Sequence, residues 1–336
     1  MNPTNQIYKS LIVALSLAFL VGVLSCQKDQ KTWPTKVDSL EKPVEFVHLS
    51  DDFFNLKWSL VEFDKKYPFF LDKSYPIEHW EARRKDPLEL EAYGEVKKTY
   101  ADLGAIQKEI TSLLEKQKHH FPTTQTPTVY FYSSGYTSLL RPIIYSRDQN
   151  KLFVALDGFL REDHPAYLGQ QIPAYIRKTM TPEFVLPKIA FAISEQMVYY
   201  NIEDQKFLDQ MIYQGKLMAC VDAFLPEYQD HQKILYTPQQ LNWAKENEYF
   251  IWAYFVENEY LFSQDKGLLQ RFINQGAFSK FYNEKDKESP GSIGVWVGWQ
   301  LVRSYLSNQN TTLEELSKDK DNQKLFERAK YKPRKP

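Results

Sequence analysis

The chain opens with Met1 to Ser10, a polar stretch with one cation, Lys9, and then runs through about 14 apolar residues, Leu11 to Leu24, up to Ser25-Cys26. An apolar run of ~7–15 residues behind a cation has the length of a secretory signal core, and it falls short of the ~20 residues a helix needs to cross a bilayer. Whatever follows therefore folds after export, and residues 1–25 are expected to be removed as a signal peptide. Directly behind the run the chain turns polar, Gln27-Lys28-Asp29-Gln30-Lys31.

Val23-Leu24-Ser25-Cys26 resembles the bacterial lipobox, a pattern that more often carries Leu at its first position and a small residue at its second. The resemblance implies that Cys26 becomes the mature N-terminus and carries acyl chains, palmitate among them. Each buried CH₂ adds ~0.8 kcal/mol of membrane affinity, and two or more chains make the anchor stable. Gln27 in place of Asp favours the outer membrane by similarity to known sorting rules, with the periplasmic face ahead of the cell surface. The sequence has only 2 Cys. With Cys26 acylated, Cys220 has no disulfide partner, and in Leu217-Met218-Ala219-Cys220-Val221 it reads as a buried, inert thiol.

Composition narrows the partners. With 42 Lys plus Arg against 43 Asp plus Glu, the chain lacks the basic excess of a nucleic-acid binder, so no nucleic-acid partner is expected. Only 12 Gly argue against Gly-rich phosphate loops, while 22 Tyr, 22 Phe and 7 Trp can fill a rigid core.

Residues 26–43 contain Pro34 and Pro43 and no apolar period, as a lipid-anchored tether would. Residues 44–328 are expected to form a single domain, and the basic end 329–336 reads as a solvated tail. Apolar periodicity predicts one helix of about 15 residues that starts at Phe53 and stops at Tyr67-Pro68, and a long one from Leu88 to His120 with a break or kink at Gly94 or Gly104. Thr128 to Tyr132, Ile143 to Tyr145 and Leu152 to Leu156 are β-branched and aromatic. They predict a small, largely antiparallel sheet at about 127–157 with a hairpin at 146–151. After Pro182 the chain reads as helical: Thr237-Pro238-Gln239-Gln240 is a capping box opening a helix through about Tyr260, Ser289-Pro290 precedes a helix through about Asn308, and Thr312 caps the last helix. Trp243, Phe250, Trp252, Tyr254, Phe255, Trp296 and Trp299 are expected in the core. Gly294 and Gly298, four residues apart, permit close helix approach. Arg303 is expected to reach a buried carboxylate such as Glu257 or Glu259.

The six His form no H-E-x-x-H pair, and no nucleophile elbow, Walker loop or G-x-G-x-x-G is present. Phe53 to Leu56 with Lys66 to Phe70, Tyr213 to Lys216, Tyr236-Thr237, Trp252 to Glu257, Leu261 to Ser263 and above all Ser289 to Tyr305 together resemble the gliding motility-associated lipoprotein GldB family. No catalytic activity is established for that family. The resemblance implies a place in the envelope machinery for gliding and the associated secretion, with proteins of that apparatus as partners.

A more distant similarity links the order helix, sheet, helix, helix to zincin-type zinc peptidases. If Glu195 aligns with the Glu of H-E-x-x-H, then Ser194 and Val198 stand in the two His positions and Gln214 in the position of the downstream Glu. Val has no donor atom, and Ser and Gln are weak neutral ligands, so zinc-activated water is lost. The expectation is therefore an α+β, mostly helical, zincin-like domain without metal, cofactor or catalytic residues. A peptidase-like groove would be kept for binding. An active envelope hydrolase is the competing class, and a plain scaffold without a pocket beside Glu195 is the third.

Overall fold

The computed structural model describes residues 31–335 apart from 204, 283 and 285. Cys26, the signal segment and the first part of the tether lie outside the described residues. In chain order the elements are β1 (Phe46–His48), α1 (Leu49–Phe54), α2 (Leu60–Lys66), α3 (Ile77–Arg83), α4 (Pro87–Thr99), α5 (Gly104–His120), β2 (Thr128–Tyr132), β3 (Ile143–Ser146) and β4 (Lys151–Ala155). There follow α6 (Pro165–Gly169), α7 (Ala174–Arg177), α8 (Val185–Met197), α9 (Phe207–Phe224), α10 (Asp230–Lys233), α11 (Pro238–Glu246) and α12 (Glu248–Glu257). The last four are α13 (Lys266–Phe272), α14 (Ile293–Asn308), α15 (Leu313–Lys318) and α16 (Asn322–Ala329). The architecture is α+β and mostly helical.

The sheet differs from the largely antiparallel one expected. Its order is β1-β2-β4-β3; β2 is parallel to both β1 and β4, and only β3 and β4 are antiparallel. The predicted hairpin is present, with Asn150 at φ 53° in its turn, a conformation Asn tolerates better than most residues. That local signal accounts for the antiparallel pair alone. Parallel neighbours need long crossovers, and β1 reaches β2 only through five intervening helices. A three-residue strand is too short to show alternation in sequence.

Along β2 the alternation is clear. Val129 and Phe131 enter the main core, while Tyr130 points to a second cluster formed by Leu49, Phe53, Leu60, Phe63, Tyr67, Leu71 and Trp80. The sheet is therefore buried on both faces around β2, as expected of a central parallel strand.

Two predicted helices are interrupted where no break was expected, and a third breaks at one of the two glycines expected to break it. The Phe53 to Phe63 pattern is split by Ser59, whose Oγ accepts from Glu62 N–H at 3.2 Å while Glu62 Oε2 accepts from Ser59 N–H at 2.9 Å. This capping box starts a second helix. The long Leu88 to His120 stretch ends at Thr99 and restarts at Gly104, whereas Gly94 stays inside α4. The Thr237 box forms as read, but the helix it opens stops at Glu246, and α12 follows. The Thr312 box also forms. Of the aromatic residues expected in the core, Trp296, Trp299 and Phe255 are fully buried, Trp243, Trp252 and Tyr254 are half-buried, and Phe250 is exposed.

The two longest helices of the second half, α9 and α14, form the most extensive contact between elements. A Cβ on Gly298 would overlap the carbonyl oxygen of Met211, and one on Gly215 would overlap that of Gly298. Backbone therefore touches backbone, which only glycine permits at this crossing.

Candidate functional site

The four positions singled out by the zincin comparison lie on α8, on the residue that caps its C-terminus, and on α9, and the two helices pack on each other. Ser194 is fully buried, and its Oγ donates to the Ala190 carbonyl at 2.7 Å, one turn back along its own helix. Its hydroxyl also reaches Cys220. Burial pushes the Cys220 thiol above its ordinary range, and the neighbouring Ser194 hydroxyl offsets this only in part. Cys220 is thus the buried, unpaired thiol expected of it. Val198 is buried at the C-terminal end of α8. Gln214 is half-buried on α9, next to the Gly215 that the crossing requires.

Glu195 alone keeps an accessible carboxylate. Partial desolvation raises its pKa, opposed by the charge of Arg141. Across from it Tyr213 is pushed up to about 12 by burial, with the charges of Glu195 and Tyr200 adding to the effect. Among the described residues no group of three or more His, Cys, Asp or Glu side chains is arranged to hold a metal ion.

The strongest concentration of charge lies two turns further along α9. Asp222, nearly buried, accepts from Trp299 Nε1 at 2.8 Å and Lys233 Nζ at 2.9 Å, and from both Nε and Nη2 of Arg303 at 2.8 Å. Arg303 turns its other edge to Asp230 through Nη1 and Nη2, again at 2.8 Å, and stacks on Trp299 with 3.7 Å between the guanidinium carbon and the ring centroid. One guanidinium thus holds two carboxylates in bidentate geometry, the arrangement for which Arg is suited. Burial opposes its charge, but Asp230 and Asp222 more than offset this and raise its pKa. Burial likewise works against the Asp230 charge, and Arg303 overcomes it and holds that carboxyl below its usual range.

Sequence reasoning placed Arg303 beside Glu257 or Glu259 and missed Asp222 and Asp230. Both glutamates are exposed. The Gly215–Gly298 contact instead brings together side chains one to two turns C-terminal of each glycine. The available signal was Asp222 itself, a lone acid in the apolar stretch Leu217 to Leu225.

This network forms part of the wall of a cleft of about 610 Å³, to which Lys31, Trp33, His231 and Lys245 also contribute. A second cavity of about 300 Å³ opens beyond the carboxyl ends of β1 and β2, beside His48, Ser50, Asp51 and Tyr93. There Ser50 Oγ accepts from the Ser133 N–H at 2.7 Å, and Asp51 accepts from Tyr93 OH at 2.6 Å. Neither opening is lined by Ser194, Glu195, Val198 or Gln214.

The family model described as gliding motility protein GldB matches residues 30–333. The chain belongs to the GldB family. The match takes in the α9–α14 crossing and the whole Asp222–Arg303 network, so both are features of the GldB region. Membership in the GldB family implies a role in gliding motility and the character of a lipoprotein. No helix among the described residues is long and apolar enough to cross a membrane. No curated protein and no solved structure matches this chain.

Proposed function

We propose that the protein is a lipid-anchored component of the outer membrane, on its periplasmic face, that serves gliding motility and the associated secretion by binding or scaffolding and not by catalysis. Its partners on this reading are other envelope proteins of the gliding apparatus. The observation that carries the non-catalytic part is the state of the four motif positions. Ser194 gives its one O–H to its own helix, Val198 is buried without a donor, and Gln214 adjoins the glycine that seats α9 on α14. A zinc site of the zincin type needs three strong ligands around one open position. These residues supply none, and a pseudo-peptidase, zincin-like in descent, is the reading they support.

The test pairs a metal assay with a motility assay. Purified protein is expected to carry no stoichiometric zinc, and cells with Glu195→Gln are expected to glide as the parent does. One tightly bound zinc per chain, or loss of gliding in Glu195→Gln with normal protein abundance, would overturn the reading in favour of an envelope hydrolase.

A further inference from the structure

We propose that the cleft bounded by the tether and by α9, α10, α11 and α14 is a binding site for a phosphate group, and that the headgroups of the membrane beside the anchor supply it. Two cations of the wall, Lys233 and Arg303, keep hydrogen-bond donors in reserve. Lys233 is 7% exposed and gives one of its three N–H donors to Asp222 Oδ1 at 2.9 Å. Its other two donors find no acceptor among the described residues. Of the five N–H groups of Arg303 four are engaged, and one on Nη1 is unused. These spare N–H groups belong to residues that line the cleft, where an anion would accept from them.

The acids of the wall are already saturated. Asp222 accepts four hydrogen bonds, and Asp230 is occupied on both oxygens by Arg303. Lys245, exposed at the rim, and Lys31 on the tether add two more positive charges. The lining therefore carries four cations, Lys31, Lys233, Lys245 and Arg303, against two carboxylates whose charge Arg303 and Lys233 balance. A lysine ammonium is a point charge that suits phosphate, whereas the planar fork that would favour a carboxylate is taken up by the two aspartates.

The tether points to the source. Lys31 lies five residues from Cys26, a span of at most ~18 Å for extended chain. On the lipoprotein reading, which this assignment of source alone rests on, the Lys31 side of the cleft cannot stand further than that from the headgroups. Trp33 is half-buried in the same wall, packed edge-on against His120 at 5.1 Å. An indole at this position suits a membrane–water boundary.

The full chain in detergent is titrated with inorganic phosphate, and its binding to phosphatidylcholine vesicles is compared with and without phosphatidylglycerol. Lys245→Gln, at an exposed position that leaves the fold intact, and Lys233→Gln are each expected to weaken binding about tenfold, the scale of one lost charge-assisted hydrogen bond. Lys332→Gln in the basic tail is the control and is expected to change nothing. Saturable phosphate binding lost in Lys245→Gln supports the site whatever carries the phosphate, and binding confined to phosphatidylglycerol vesicles assigns it to the lipid headgroup. Saturable phosphate binding with no preference for phosphatidylglycerol vesicles would overturn the headgroup as source. Equal weakening by Lys332→Gln, or no saturable binding to either probe, would overturn the proposal. The phosphate arm needs no anchor, so these outcomes are separate from the zinc and motility results that test the proposed function.

Discussion

Two stretches of α9 meet α14 in opposite ways. At Gly215 the helices touch backbone to backbone, with the Val302 side chain closing the contact. Two turns on, at Asp222, the same pair is held apart and joined by a carboxylate, a guanidinium and an indole. The comparison teaches that close approach at one end makes room for charge at the other. The glycine contact fixes the spacing, and the buried ions use it. It also separates what the peptidase-like positions do from what the charged cleft does: Gln214-Gly215 belongs to packing, and Asp222 belongs to the cleft.

The largest effect is expected at the charged end. Arg303→Met leaves Asp222 and Asp230 facing each other in a nearly buried place. Removing one partner of a buried pair costs about 3–5 kcal/mol, which urea unfolding would register as a large fall in midpoint. A double-mutant cycle with Asp230→Asn is expected to recover part of that loss. Additivity of the two single changes would mean that the pair is not coupled in solution.

At the glycine end, Gly298→Ala must push Met211 and its backbone away. Overpacking of this kind costs about 1–3 kcal/mol, and the displaced helices would also lengthen the Asp222–Arg303 contacts. If Gly298→Ala unfolds at the parent's urea concentration, the crossing in solution is looser than a backbone-to-backbone contact.

The smallest effect is a pH dependence at the tether side of the cleft. Burial, with the neighbouring charges of His119 and Lys31, pushes His120 down to about 4 from an ordinary 6.5. Its folded value lies below its unfolded one, so the unfolded chain binds the proton more readily. The contribution of neutral His120 is whole above pH 6.5 and declines as pH falls from there toward 4. His120→Gln is expected to flatten that part of the stability profile. The Arg303–Asp230 pair, shifted outward on both sides, should not contribute in this window. An unchanged slope in His120→Gln would place the titration elsewhere.

Much of the helical part was readable because its signals are local. The boxes at Ser59, Thr237 and Thr312 each close within four residues, and the hairpin before Lys151 closes within five. Of these, Ser59 went unread because the apolar pattern ran across it. The sheet was misjudged where pairing is distant: β1 meets β2 across some eighty residues, as Phe46 beside Val129 shows. At the site, the glycines of α14 and the place of Cys220 were visible from residue type and spacing. Arg303 was visible as a buried cation in need of a partner, but not which partner, because the nearest acids in sequence are exposed.

The sequence alone determined the absence of the common catalytic motifs and the family resemblance, and it carries the expectation of an export segment and of acylation at Cys26, since each depends on neighbouring residues or on residue identity. Only the tertiary structure decided that the sheet is mixed, that Gly215 and Gly298 are in contact, and that Asp222, Asp230, Lys233 and Arg303 share one cleft wall. These depend on which segments distant in the chain come within a few ångströms of each other. A bond of 2.8 Å is a property of that arrangement and leaves no periodic trace in the sequence.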